Sequence, residues 1–403
     1  MSGRMKTGYL LLIVILTLSA PAGALAQDPT SLEYPYIYKS TRAMGMGGAY
    51  TAVGGRTDTL FYNPAGLINI PRDKGWEVNL INVSLENSDK MAKMSSLLTK
   101  QECGDDTLCQ DLQDALDSDV NATDEEQAIA VNEVLANYRG QNLHLRVADF
   151  TSIGKSFEKW AFGIGVVGSG RFDVMTHQGF GEEGLLEVNS DVTYGPIGGF
   201  SMEMKENLIA GVGLKVLHRE SLVHKFTARE LAEKQDDLDD FIMNELQETG
   251  DGIGFDAGVI WRFAPDSKLR PSLGVSLLNI GDLDFGDAGK LPMTLNTGVS
   301  VNPEVSWAHS LIAGVDFIDV LNGYKQDKDM AKRLRYGAEL QLFDIMPFEL
   351  AVRAGMYNEA PTFGFDVRVL IVSVSYAMYT EEIGAFAGQD KDKRQLLTLN
   401  VGW

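Results

Sequence analysis

Cysteine is nearly absent from this chain of 403 residues, which contains only Cys103 and Cys109. Five residues separate the two in a polar stretch, and no histidine lies near them. Because a structural zinc ion takes four protein ligands, two thiols are too few for a metal site. In an oxidising compartment such a pair forms a disulfide. We therefore predict a Cys103–Cys109 disulfide, and we expect neither a metal nor another cofactor.

Long apolar runs are also missing beyond residue 26, where no stretch approaches the roughly 20 apolar residues of a membrane-spanning helix. The N-terminus has two basic residues, an apolar run over 10–18 and an A-x-A site at Ala24–Ala26. These features are typical of a secretory signal peptide, which we predict for residues 1–26. An uncleaved anchor helix is the alternative, but the apolar run is too short for it.

Basic residues are also few relative to acidic ones. The formal net charge is -21 and the sequence pI is near 4.6, which argues against nucleic-acid binding. The five histidines are scattered, and the sequence has no G-x-S-x-G, P-loop or H-E-x-x-H motif. We therefore expect a protein that is not an enzyme.

The dominant positive signal is a two-residue alternation from Trp76 onward. In the last stretch Leu397, Leu399, Val401 and Trp403 share one face, and polar or small residues share the other. A membrane-spanning β-barrel needs this pattern because one face meets lipid and the other the lumen. The candidate strands are 76–85, 142–152, 157–173, 187–203, 208–220, 252–264, 269–279, 292–302, 308–319, 332–343, 348–358, 361–370, 371–379 and 395–403.

The connections between these segments support the count. Short and long connections alternate from first to last, as they do between the periplasmic turns and outer loops of bacterial barrels. The sequence therefore predicts an all-β fold: a 14-stranded antiparallel transmembrane barrel over residues 76–403, with both termini on the periplasmic side of a Gram-negative outer membrane. A soluble periplasmic all-β protein is the alternative, but it would not need an apolar outward face in strand after strand.

Two of the long outer loops contain helix-like inserts. Residues 122–138 and 226–247 each begin with a capping pattern, Thr123–Glu126 and Thr227–Glu230. Both inserts are polar and acidic on much of their surface. We interpret them as solvated lids, with a protein-docking site as the alternative.

The C-terminal strand ends on an aromatic residue. Leu399, Val401 and Trp403 alternate on one face up to the last residue, which resembles the signal read by the outer-membrane barrel assembly machinery. A terminal aromatic ring is favoured at the membrane interface. We therefore expect the assembly machinery and membrane lipid as partners, and the alternative is that a tryptophan ends the chain by chance.

The N-terminal block of the mature chain does not alternate. Residues 42–49 read RAMGMGGA and residues 62–67 read YNPAGL. This block resembles the N-terminal region of the FadL/TodX outer-membrane transport family, and with the segment YTEEIG at 379–384 it also resembles PorV-like and conjugal-transfer TraF-like proteins. The resemblance implies that residues 27–75 form a plug inside the barrel. Its candidate motif residues are Gly45, Gly47, Gly48, Asn63, Pro64 and Ala65.

The composition of the block is compatible with a plug. Glycine permits positive φ angles and close backbone approach, and Asn-Pro favours a turn. A disordered periplasmic tail is the alternative, but the apolar residues Met44, Met46, Leu60, Phe61, Leu67, Ile68 and Ile70 argue against disorder.

Charged residues of both signs fall on the inward face of the predicted strands. Because unpaired charge in a confined lumen is costly, we predict a salt-bridge network that holds the plug. A conduit for a polar or anionic solute is the alternative. The candidate network comprises Arg146, Lys215, Asp256, Arg262, Glu339, Glu349, Arg353, Asp366 and Arg368.

Glycines are concentrated in the third predicted strand. FadL-type proteins use a kink in this strand as a lateral exit, and Gly168, Ser169 and Gly170 match that place. Glycine within a strand marks a bend or a close approach. These residues are therefore a candidate lateral gate, or else small residues that face the plug.

Two functions remain open at this stage. The first is passive transport of hydrophobic or amphipathic small molecules across the outer membrane, as the FadL resemblance implies. The second is a non-transport barrel that docks a protein partner in secretion, conjugal transfer or an envelope complex.

Overall fold

The computed structural model describes residues 33–34, 36–89, 111–112, 114–115, 123–139, 142–178, 184–234, 246–324, 330–345, 347–383 and 391–403. The predicted signal peptide and the predicted Cys103–Cys109 disulfide lie outside these residues.

Fourteen strands form a closed antiparallel barrel, which confirms the predicted fold class and strand number. Each barrel strand pairs with its neighbours in sequence, and the first strand pairs with the last, for example at Leu85 and Leu397. A separate hairpin of two short strands interrupts one outer loop. The strands are β1 (Glu77–Ser88), β2 (Asn142–Ser156), β3 (Trp160–Gln178), β4 (Gly184–Lys205), β5 (Leu208–Thr227), β6 (Glu248–Trp261), β7 (Ser272–Leu278), β8 (Leu283–Asp284), β9 (Lys290–Leu291), β10 (Thr294–Val301), β11 (Ser310–Phe317), β12 (Leu334–Ile345), β13 (Phe348–Tyr357), β14 (Ala360–Val369), β15 (Val372–Glu382) and β16 (Lys391–Gly402), with β8 and β9 as the hairpin.

The outer face of the barrel is apolar. Large hydrophobic side chains such as Ile164, Val212 and Phe255 point away from the lumen and are exposed on strand after strand. Soluble monomers rarely expose apolar patches of this extent. Tryptophans, among them Trp160 and Trp403, lie at the end of the barrel that has the short turns. This combination is the outer surface of a membrane-spanning barrel with an aromatic girdle.

Short helices flank and fill the barrel. α1 (Thr41–Gly45) and the 3-10 segments Thr57–Phe61 and Pro64–Asn69 lie before β1. The outer loops contain α2 (Asp124–Asn137), α3 (Ala228–Glu233) and the 3-10 segments Gly286–Ala288 and Met330–Arg333. Within the described ranges, no helix is long and apolar enough to cross a membrane.

Both predicted capping patterns form at the inserted helices. Thr123 accepts a hydrogen bond from the backbone of Glu126 and caps α2, and Thr227 caps α3 in the same way through Glu230. The two helices pack over the outer ends of β2–β5 through a buried apolar cluster that includes Leu135. Within the second predicted insert, α3 covers Ala228–Glu233, and 235–245 lie outside the described residues.

Candidate functional site

Residues 36–71, which we call the luminal segment, cross the interior of the barrel. The backbone amides of Tyr50 and Thr51 donate to Asp316 Oδ2 on β11, at 2.7 and 2.6 Å. The side chain of Asn63 donates to Val259 O on β6 at 3.3 Å. Contacts to strands on several sides of the barrel are possible only for a chain that lies within the lumen.

The Asn63-Pro64-Ala65 motif lies directly against the wall. Asn63 Oδ1 accepts from the amide of Ala65 at 3.1 Å, which closes a tight turn, and Asn63 Nδ2 donates to Thr51 O at 2.7 Å. The wall residues opposite are Gly211 and Gly258, where any Cβ atom would overlap the motif. Two wall glycines thus let this turn approach the strands.

The three glycines of the block have different roles. Gly47 has a φ of +66°, and a Cβ there would overlap the carbonyl oxygen of Met356. Gly48 also has positive φ, at +82°. Gly45 sits where a Cβ would lie 3.2 Å from the side chain of Arg353. The sequence RAMGMGGA therefore matches a turn that lies against β13.

One side of the luminal segment is apolar. Leu60, Phe61 and Leu67 are buried and belong to one hydrophobic cluster with Phe150 of β2 and Ile209 of β5. The rings of Phe61 and Phe150 meet edge to face, with 4.9 Å between their centroids. The segment thus has its own core against the wall formed by β2–β6.

The opposite side is held by ion pairs, which we call the middle charge cluster. Arg42 donates to both oxygens of Glu339, at 2.7 and 2.8 Å, and Arg353 Nε donates to Glu339 Oε2 at 2.6 Å. Arg56 pairs with Asp366 at 2.8 Å. Although burial alone lowers the pKa of Arg42, Glu339 holds it well above its ordinary value. The contacts of Arg42 and Arg56 join the luminal segment to β12 and β14, and Arg353 of β13 braces Glu339 from the wall.

The nine predicted network residues do not form one network. Glu339, Arg353 and Asp366 meet in the middle charge cluster. Glu349 and Arg368 pair at 3.4 Å, and Glu349 also contacts Lys74 at 2.7 Å. The remaining four lie elsewhere: Lys215 pairs with Asp256, Arg262 donates to Asn69, and Arg146 donates to the carbonyl of Tyr36.

A larger charged layer lies nearer the outer loops, and of its members the sequence reasoning named only Arg146. Lys39 Nζ is 2.9 Å from Glu33, 3.0 Å from Glu86 and 3.0 Å from Glu381. Arg394 Nη1 also contacts Glu33 and Glu86. We call this set the outer charge layer: Glu33, Lys39, Glu86, His144, Arg146, Arg171, Asp173, Glu381, Asp392 and Arg394.

A signal for this layer was present in the sequence. Glu86 and Arg394 continue the inward-facing positions of β1 and β16 beyond the predicted strand ends. Lys39 and Glu33 lie in a stretch with no period, where no pattern indicates direction. The predicted strands were too short at their outer ends, and the charges in those extensions were therefore assigned to loops.

A polar cavity of about 720 Å³ lies below the luminal segment, at the end with the short turns. Its lining includes members of the middle charge cluster and residues of the barrel rim, such as Arg56, Asn79, Glu349 and Trp403. Toward the outer loops it ends at Tyr38 and its neighbours. The cavity is therefore a vestibule on the short-turn side of the luminal segment.

The third strand is paired along its whole length. β3 pairs with β2 from Ala161 to Met175 without a register shift, and with β4 from Trp160 to Gln178. Gly168 and Gly170 face outward, where an added Cβ meets open space or one distant methyl group, and Ser169 faces inward. Neither a kink nor contact with the luminal segment explains the two glycines, so a lateral gate at this place remains a prediction.

The wall is irregular at the β1–β2 pair instead. Pairing shifts between Asn79 and Val83, and the consecutive residues Leu80 and Ile81 both face outward. The carboxylate of Asp149 takes the place of a ladder contact, because its Oδ1 accepts from the amide of Asn82 at 2.9 Å. This geometry is a β-bulge next to the seam that closes the barrel.

An apolar groove of about 1000 Å³ lies on the outer face beside this bulge. Its rim includes Leu80, Ile164 and Phe255, and its floor includes the small residue Gly198 and Pro196. Asn79 lines both this groove and the luminal vestibule. Only the wall at the bulge separates the two spaces there.

The last residue closes the barrel. The amide of Trp403 donates to Val78 O at 2.9 Å, and the amide of Val78 donates to Trp403 O at 2.8 Å. The side chains of Leu399 and Trp403 are exposed on the outer face, and that of Val401 is half-buried. The terminal residue is thus part of the β1–β16 seam.

Several solved structures are similar in shape at low sequence identity. They include the Ralstonia pickettii toluene transporter TbuX, with 13% identity, a TM-score of 0.49 and coverage of 92% of this chain and 100% of that chain. The CymD monoaromatic hydrocarbon channel has 10% identity, a TM-score of 0.49 and coverage of 92% and 99%. The Pseudomonas putida toluene transporter TodX has 10% identity, a TM-score of 0.47 and coverage of 92% and 99%. No protein-family model and no curated protein matches the chain.

Proposed function

We propose that this protein lets hydrophobic or amphipathic small molecules pass across the outer membrane without an energy source. The observation that carries the proposal is the wall at Asn79, which separates a luminal vestibule from an apolar groove on the outer face. The free energy of a hydrophobic molecule falls when it moves from a polar space to hydrocarbon, by about 25 cal/mol per Å² of apolar surface. The groove therefore offers such a molecule a downhill exit.

The exit route has two candidate positions. One is the β1–β2 bulge at Asn79, where pairing is already broken and a side chain replaces a ladder contact. The other is Gly168–Gly170 on β3, where opening would require separation of a continuous ladder. We favour the bulge because fewer backbone hydrogen bonds must break there.

Two disulfide locks distinguish these positions. Asn79→Cys with Ser152→Cys joins register partners across the bulge, and Ala148→Cys with Ser169→Cys joins register partners at the third strand. Paired residues of adjacent strands have the Cα separation that a disulfide needs. Both locks are made in a background in which Cys103 and Cys109 are replaced by serine. The reduced form of each variant is its own control.

The readout is uptake of labelled long-chain fatty acid and toluene by a deletion strain that carries each variant. We expect the oxidised bulge lock to lower uptake and reduction to restore it, with the third-strand lock unchanged. The reverse result would move the exit to β3. Equal uptake of every tested compound by the deletion strain and the wild type would refute the transport proposal.

The assembly role of the C-terminus is a separate proposal. Deletion of Trp403 removes two backbone hydrogen bonds to Val78 and the terminal aromatic ring. We expect less folded protein in the outer membrane, measured as the heat-modifiable band of outer-membrane fractions. Trp307→Ala is the matched control, because that exposed tryptophan lies in a short turn away from the seam. Wild-type levels of folded protein after the deletion would contradict an assembly signal, and with it the proposed recognition by the assembly machinery.

A further inference from the structure

We propose that His144 is a doubly protonated imidazolium that fastens the outer end of the luminal segment as a pH-sensitive latch. Its Nε2 lies 2.9 Å from Glu86 Oε1, and its Nδ1 lies 2.5 Å from Asp173 Oδ1. A neutral imidazole has one N–H, so one ring nitrogen would direct a lone pair at a carboxylate oxygen. With both carboxylates ionised, both contacts are attractive only when both ring nitrogens are protonated.

Burial makes this choice energetically important. The side chain of His144 has no exposed surface, and neither has that of Glu86. In such a place water cannot screen two facing lone pairs or replace the hydrogen bond that is not made. The proton on the second nitrogen is therefore part of the folded structure.

The charge balance of the outer charge layer supports the same conclusion. Among the described residues of the layer, five carboxylates face four permanent cations, and a positive charge on His144 makes the two signs equal in number. Arg335 lies at the edge of the layer, where it donates to Asn358 rather than to a carboxylate. The groups around His144 are Glu86 on β1, Arg146 on β2, Arg171 and Asp173 on β3, Glu381 on β15, Asp392 and Arg394 on β16, and Glu33 and Lys39 before β1.

The histidine is coupled to the luminal segment through one shared oxygen. Glu86 Oε1 is 2.9 Å from His144 and 3.0 Å from Lys39 of the segment. Loss of the imidazolium proton would set a lone pair against this oxygen and disturb the contact that holds Lys39. The latch therefore joins β1, β3 and the segment through a single proton.

The latch lies toward the outer-loop end of the barrel. His144 pairs with Asp173, which lies more than ten residues beyond Trp160 along β3. A barrel strand crosses the hydrocarbon in roughly 9–11 residues, so this level lies toward the outer loops. The latch is thus nearer to the external medium than to the periplasm.

The sign of the pH dependence follows from the proton count. The folded protein keeps a proton that an isolated histidine loses near pH 6.5, so the latch weakens as pH rises. One released proton reduces the stability of the latch at most about tenfold per pH unit. Acid weakens the layer only at low pH, because Arg394 and Lys39 hold the pKa of Glu33 well below its ordinary value although burial alone raises it.

The direct test is ¹⁵N NMR of the histidine rings in the purified full-length protein in detergent micelles at pH 7.5. The signal that disappears in His144→Gln is that of His144. We expect the shift pair of an imidazolium. A neutral ring at this pH, with the proton on Asp173 instead, would overturn the proposal.

A second measurement covers the case in which His144→Gln lowers the folded yield. Hydrogen exchange of the backbone over residues 36–41 in the wild type is followed from pH 7 to pH 10 and corrected for the intrinsic rate. We expect protection to fall as pH rises in the wild type and in His309→Gln, an exposed histidine at the opposite end of the barrel. Protection that does not change with pH in the wild type would refute the latch.

Discussion

The two sides of the inner barrel wall hold the same segment by different physical means. Against β2–β6 the segment buries Leu60, Phe61 and Leu67 in an apolar cluster with Phe150. Against β12–β14 it is held by the ion pairs of the middle charge cluster. Apolar contact is non-directional and stabilises roughly in proportion to area, whereas ion pairs require one geometry.

Apolar contacts and buried ion pairs differ in how their contribution to stability compares with the cost of losing them. Burial of a leucine or phenylalanine side chain contributes about 1.5–3 kcal/mol. A buried ion pair contributes little over an apolar pair of the same shape, but removal of one partner costs about 3–5 kcal/mol because the other charge stays buried. We infer that the apolar side supplies stability and that the charged side determines the position of the segment.

The largest effect is expected from Glu339→Ala. The substitution leaves Arg42 and Arg353 without the carboxylate that both contact, and both arginines are buried. We expect the free energy of unfolding, measured by urea titration in detergent micelles, to fall by about 3–5 kcal/mol.

The matched control is Glu304→Ala, which removes an exposed carboxylate with an arginine partner at a short turn. We expect little change there, because exposed ion pairs contribute about 0–1 kcal/mol. An equal, small effect of both substitutions would show that the charged side is not held as tightly as its burial indicates.

An intermediate effect is expected from Leu67→Ala on the apolar side. Leu67 is fully buried, and Gly163 and Gly199 lie against it. The wall strands cannot close the space because their ladders hold them in place, so a cavity remains. We expect a loss of about 2–4 kcal/mol in the same titration, with exposed Leu269→Ala nearly neutral. A larger loss than that of Glu339→Ala would reverse the ranking of the two sides.

The smallest effect is expected from Lys74→Ala at the rim of the vestibule. Lys74 contacts Asp344 at 2.8 Å and Glu349 at 2.7 Å, but more than a third of its side chain is exposed. Water and salt screen such contacts, so we expect a loss below about 1 kcal/mol that shrinks further in high salt. A loss above 2 kcal/mol would extend the strongly held charged side to the rim.

Much of the barrel could be predicted from the sequence. In a strand with one face in lipid, apolar and polar side chains must alternate, because every outward side chain lies in hydrocarbon. The strand that ends at Trp403 shows this alternation. Strand number followed from the alternation of short and long connections. The outer ends of β3 and β4 could not be predicted in the same way, because beyond the membrane the outward face is no longer obliged to be apolar.

The luminal residues were harder to place. Glu339, Arg353 and Asp366 were predicted from their inward positions, but their partners Arg42 and Arg56 lie in a segment without a period. The role of Gly211 and Gly258 could not be predicted either. Glycine is required at these positions by the Asn63–Ala65 turn, which lies more than a hundred residues away in the sequence. The glycines at 168 and 170 attracted attention by their spacing, yet they face outward and contact nothing in the segment.

The sequence by itself determined the class of fold and the number of strands, because period and turn length are local properties that each strand must satisfy alone. The tertiary structure decided which charges meet, where the wall is irregular and how His144 lies between Glu86 and Asp173. The charge layers depend on the closure of β1 against β16 and on the path of the luminal segment, which bring together residues as distant as Glu33 and Arg394. The contacts of His144 join residues on three different strands, and no local pattern encodes such a meeting.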